Sequence, residues 1–94
     1  MATISLTKED FVKRVAHLGV ALSQFKFIGQ RPAVVDFYAP WCGPCNMVAP
    51  IMEELSKVYD EKVDFYKVNV DDENELSAYF GIRSIPTILF IAAN

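Results

Sequence analysis

The sequence predicts an α/β fold, and three observations carry that reading. Short apolar runs alternate with longer amphipathic ones along the whole chain. Apolar residues make up 52% of the total, enough to pack a core and to exclude a disordered chain. The 94 residues fit one domain, 1–94, and contain no repeat, low-complexity tract or linker-like run.

The elements follow in order. "ISL" at 4–6 reads as a short strand. Thr7 then caps a helix over 8–18, with Leu6 and Phe11 placed as a hydrophobic staple and Asp10 where a capping-box acid stands. Phe11, Val15 and Leu18 form its apolar stripe. Residues 19–32 show no period and read as a long connection, with Phe25, Phe27 and Ile28 tucked against the domain. "AVVDFYA" at 33–39 reads as a strand buried on both faces, with one acid in its middle. A helix over 44–59 follows, its stripe being Val48, Ile51, Leu55 and Val58, widened by Met47, Met52 and Tyr59. Pro44 suits a first turn, whereas Pro50 falls inside and is expected to kink the helix. A third strand spans 63–70. A short helix spans 72–80, with acids in its first turn and Gly81 just past its end. A fourth strand spans 87–93. The order is β-α-β-α-β-α-β.

Charge narrows the function. Twelve acids against nine bases give a net charge of −3, with no basic patch for nucleic acid or an anionic membrane surface. The apolar runs are too short to span a bilayer, and "MATISLTKEDF" lacks the basic and apolar regions of an export signal, so a cytoplasmic location is expected.

Both cysteines, Cys42 and Cys45, lie in "YAPWCGPCNMVAP". Three roles compete. As a staple the pair is weak, because it closes a very small loop. As a metal site it lacks ligands: zinc takes about four, and the one histidine, His17, sits alone on the first helix and reads as a surface or interface residue. As a redox pair it is well placed. Residues three apart at a helix start are neighbours at roughly 5–6 Å, near the separation a disulfide needs. The helix N-terminus favours an anion, so the Cys42 thiol is expected to be acidic and its thiolate to be the attacking nucleophile. Cys45, deeper in the turn, would resolve the mixed disulfide.

Asp36 is alone in an apolar strand. Buried there, its proton is held more tightly, and it could accept the Cys45 proton; the bland alternative is a strand-end acid turned to solvent. Lys67 also interrupts an apolar strand and could partner Asp36, or it could snorkel to the surface. Trp41 reads as exposed contact surface on a loop. The acids at 71–75 read as a solvated helix start.

"WCGPC" after a strand, "AP" at 49–50 within the following helix, and "GIRSIPT" some forty residues on resemble the thioredoxin family, over nearly the whole chain from Leu6 to Ala92. The resemblance implies the thioredoxin fold, a three-layer sandwich around a mixed sheet. It implies that Cys42 attacks and Cys45 resolves, with Trp41, Gly43 and Pro44 flanking them. It makes Pro86 a cis-proline opposite the cysteines and gives Ile85 a backbone contact to an extended substrate. Asp36 becomes the buried acid behind the site and Lys67 the lysine near it. No bound cofactor or metal is implied. Electrons come from a partner, thioredoxin reductase with NADPH and flavin.

Three departures are visible. Tyr38 stands where many members have a second tryptophan. Asn46 stands where a lysine is frequent, which alters the charge near the pair. The 19–32 connection is long. The family also continues with a fifth strand and a final helix, whereas this sequence stops at "ILFIAAN". The fourth strand is therefore expected to have an open apolar edge that invites a second copy; a truncated chain or a naturally abbreviated form would end in the same way. The leading reading is a protein-disulfide reductase acting on disulfide-containing proteins. A disulfide oxidase or isomerase, and a shortened module for binding or assembly, are the rivals.

Overall fold

The computed structural model describes residues 3–93, so the ends of the predicted domain, residues 1, 2 and 94, lie outside the described residues. The observed order is the predicted one: β1 (Ile4–Ser5), α1 (Lys8–Arg14), a 3₁₀ turn (Leu22–Gln24), β2 (Ala33–Tyr38), α2 (Gly43–Val58), β3 (Asp64–Asn69), α3 (Asn74–Tyr79) and β4 (Thr87–Ile91). The strands form one mixed sheet in the order β1-β3-β2-β4. β1 and β2 run parallel to β3, and β4 runs antiparallel to β2.

β2 is central and has no exposed residue. Successive side chains of a strand point to opposite faces. Ala33, Val35 and Phe37 therefore share one face. They join Tyr66 and Val68 of β3 with Phe11 of α1 and Leu76 of α3 in a single apolar core. Phe80 ties this core together, meeting Phe11, Phe25 and Phe37 edge to face at 5.6–5.8 Å. The opposite face lies under α2, which buries Cys45 and Ser56 against it.

α1 starts as expected. Thr7 Oγ1 accepts the Asp10 N–H at 3.2 Å, and Leu6 and Phe11 are both buried. It ends at Arg14, four residues short of the predicted end. Past Arg14 the regular ladder gives way: the Ala16 N–H reaches the Phe11 carbonyl at 3.1 Å, five residues back rather than four, and the Val15 carbonyl accepts the distant Ile28 N–H at 2.8 Å.

The 19–32 connection divides in two. Phe27 is buried and Phe25 packs against the core, but Ile28 is 46% exposed, contrary to expectation. Its backbone, not its side chain, makes the attachment. Beside it Gly29 lies against the Phe27 ring, where any Cβ would collide with ring atoms. Arg31 pairs with Asp64 at 3.5 Å, and the Pro32 carbonyl accepts the Asp64 N–H at 2.9 Å. Residues 20–24, by contrast, are exposed.

α2 also departs from prediction. Cys45 points inward, so with 3.6 residues per turn the inward line runs on through Met52 and Ser56. Met47, Ile51, Val58 and Tyr59, placed on the buried stripe by the sequence, are exposed. Pro50 stands inside the helix as predicted.

α3 closes as its sequence dictates. Gly81 adopts φ +65°. Its N–H reaches the Ala78 carbonyl, and the Ile82 N–H reaches the Ser77 carbonyl at 2.9 Å, the double bond pattern of a Schellman cap.

Candidate active site

The cysteines sit where β2 gives way to α2. Cys42 is the N-cap residue and its Sγ accepts the Cys45 N–H at 3.2 Å. Pro44 occupies the first turn, where its missing N–H costs nothing. The two cysteines form a disulfide with a Cα separation of 5.2 Å. Cys42 is 5% exposed and Cys45 1%. A sulfur at an N-cap that receives an N–H is a favourable place for negative charge once the bridge opens.

Ile85 and Pro86 approach from the turn before β4, joined by a cis peptide bond. The Ile85 carbonyl oxygen lies 3.9 Å from Cys42 Sγ. This is a packing contact, since oxidised sulfur has no proton to donate. Ala39, Tyr38, Val70 and Ile85 enclose the sulfurs.

Trp41 is 72% exposed, yet it is oriented: its Nε1–H donates to Asp71 Oδ2 at 2.8 Å. From sequence, Asp71 reads only as part of a solvated helix start. A usable signal was its position at the end of β3, beside the end of β2 that leads to Trp41. Trp41, Val70, Ile82, Arg83 and Ile85 line a groove of about 180 Å³. Nothing in the sequence pattern singles out Arg83 or Val70. A larger concavity, about 270 Å³ between Arg31, Asp60 and Asp64, lies at the opposite end of β3 and touches none of these groups.

Asp36 lies on the α2 face of β2 and is 5% exposed. Its Oδ1 has no hydrogen-bond partner among the described residues. Burial pushes its carboxyl above the usual range, and the positive charge of Lys67 opposes that rise. Asp36 and Lys67 stand opposite each other in the β2–β3 register. The structure thus brings together the cysteines with Ile85, and Asp36 with Lys67. Gly43 and Pro44 are exposed beside the disulfide. His17 is exposed on the segment following α1, and no group of three or more His, Cys, Asp or Glu among the described residues is arranged to hold a metal.

Comparison with known proteins decides the family. The thioredoxin family model matches residues 2–94. The chain belongs to the thioredoxin family. It is 53% identical over 88 residues to the thioredoxin of Borreliella burgdorferi, covering 94% of this chain and 74% of that protein. It is 53% identical over 60 residues to the thioredoxin of Haemophilus influenzae, covering 64% and 56% respectively. Its fold matches the crystal structure of chloroplastic thioredoxin z with a TM-score of 0.79 at 26% identity, over 100% of this chain and 74% of the other. Its chemistry is that of a protein thiol–disulfide oxidoreductase with Cys42 and Cys45 as the redox pair.

Proposed function

We propose that this thioredoxin-family domain, 1–94, reduces disulfides in other proteins, with Cys42 attacking and Cys45 resolving. The observation that carries the assignment of roles is the N-cap position of Cys42, with its sulfur under the Cys45 N–H. In the reduced protein the Cys42 thiolate attacks one sulfur of a substrate disulfide. That bond breaks, one substrate sulfur leaves as thiolate, and a mixed disulfide forms. Cys45 gives its proton to Asp36 and attacks Cys42 Sγ. The second substrate sulfur leaves, and the Cys42–Cys45 bridge forms. Two electrons have passed to the substrate.

Asp36 suits the role of acceptor because burial raises its proton affinity, while Lys67 stabilises it once ionised. Trp41, Gly43, Pro44, Ile85 and Pro86 form the surface on which an extended substrate segment lies. Thioredoxin reductase is the electron source in this reading, and the cytoplasm, a reducing compartment, is its location. Pairing of two copies through β4 belongs to the same reading. It is supported by the unpaired outer edge of β4 among the described residues and by Phe90, which is 76% exposed there.

The test is insulin reduction driven by dithiothreitol, run beside Cys42→Ser. Acceleration by the parent protein alone is expected; equal rates would sink the reading. Equilibration against glutathione separates it from a disulfide oxidase, because a reductase pair stays oxidised where an oxidase pair is reduced. Mass in solution tests the pairing of copies.

A further inference from the structure

A row of side chains crosses the sheet beneath α2. Ser5 of β1 stands opposite Lys67 of β3, Lys67 opposite Asp36 of β2, and Asp36 opposite Ile88 of β4. Partners in register point to one face of the sheet, so Lys67 and Asp36 share the α2 side. Glu53 meets this row from α2. Its Oε1 accepts the Thr3 N–H at 3.0 Å and also the Thr3 hydroxyl. Thr3 is two residues before Ser5, hence on the same face. Glu53 is therefore pinned over the β1 end of the row, and Lys67, on the intervening strand, stands between the two carboxylates.

The other groups bearing on the row are few. Lys57, one turn along α2, acts on Glu53. Tyr38 feels Asp36 from the same strand and Asp72 from the turn before α3. Cys45, buried at the start of α2 beside Tyr38 and Ala39, is held in the disulfide. β4 contributes Ile88, which is uncharged.

We propose that Glu53 is a positioning residue for the buried acid: pinned on Thr3, it draws the Lys67 ammonium towards β1 and so keeps Asp36 basic enough to take the Cys45 proton. The proposal rests on the reading of Asp36 as that acceptor. The electrostatics run in its favour. Thr3 hydrogen bonds first, and then Lys67 and Lys57, hold Glu53 below the usual carboxylate range, so it is ionised wherever the enzyme works. An ionised Glu53 competes for Lys67, the cation that relieves an ionised Asp36.

The test is a site-resolved carbon-13 titration of the Asp36 carboxyl in the oxidised protein, which needs no activity. Glu53→Gln removes the charge but keeps an oxygen for Thr3. It is expected to lower the Asp36 midpoint by about half a pH unit, the size of one partly screened charge at this range. In a Lys67→Met background the same change is expected to move the midpoint less than half as far. An unmoved midpoint, or an undiminished shift without Lys67, overturns the proposal. The acid limb of the resolving step should follow the midpoint in Glu53→Gln. If the midpoint moves and that limb does not, the Asp36 reading fails while the sharing of Lys67 is upheld.

Discussion

Neighbouring residues of β2 enter two unlike layers. Val35 and Phe37 enter a closed apolar core between the sheet and α1 with α3. Asp36, between them, enters a layer that also holds Lys67, Ser56 and a disulfide. The first layer contributes burial, about 1.5–3 kcal/mol for each large apolar side chain. The second gives up part of that, since a buried carboxyl oxygen without a partner opposes folding. One strand thus packs the core through Val35 and Phe37 and holds the proposed proton acceptor, Asp36, between them.

The comparison breaks if variants on either face cross over in effect. Cys42→Ser has the largest expected effect: insulin reduction falls to the rate of dithiothreitol alone, with the fold intact by circular dichroism. Phe37→Ala is expected to cost about 3–5 kcal/mol by urea unfolding, while the folded fraction keeps its rate of disulfide reduction. Asp36→Asn is expected to do the reverse. The resolving step, followed by stopped-flow, should slow roughly 10²-fold.

Stability of Asp36→Asn at neutral pH should rise. The Asp36 carboxyl lies above its ordinary value of 3.8 in the folded chain. The folded state therefore holds this proton more tightly, and stability from Asp36 is full at low pH and lost as pH rises through the raised value. Urea unfolding across that range should show the fall in the parent and not in Asp36→Asn. Thr7→Ala, at an exposed helix cap that makes no contact with the cysteines, sharpens the baseline: loss of the N-cap should cost about 1 kcal/mol with no change in turnover.

Much of this was legible in the sequence because it is local. Thr7, Leu6 and Phe11 announce the start of α1, and Gly81 announces the end of α3. A lone acid in "AVVDFYA" announces a polar layer under an apolar strand. What escaped is set by contacts distant in sequence. The connection after α1 is tied down by Ile28, whose N–H reaches the Val15 carbonyl thirteen residues back. The rotation of α2 depends on Cys45 turning inward, and a periodicity count cannot place that origin. Exposed Ile51 and Val58 have the same spacing as a buried stripe. The Trp41–Asp71 bond joins loops at one end of the sheet that are thirty residues apart.

The ring of Phe27 over Gly29 bears on how this chain tolerates changes in length. Between Phe27 and Pro32 all but Gln30 are engaged: a buried ring, a backbone bond to Val15, a glycine with no room for a methyl group, and two links to Asp64. From Gly19 to Lys26 only Phe25 reaches the core. Insertions and deletions in this connection should therefore be tolerated only in its first half; in the second, losing or gaining one residue would misalign the entry into β2 and, at the far end of that strand, the start of the redox loop.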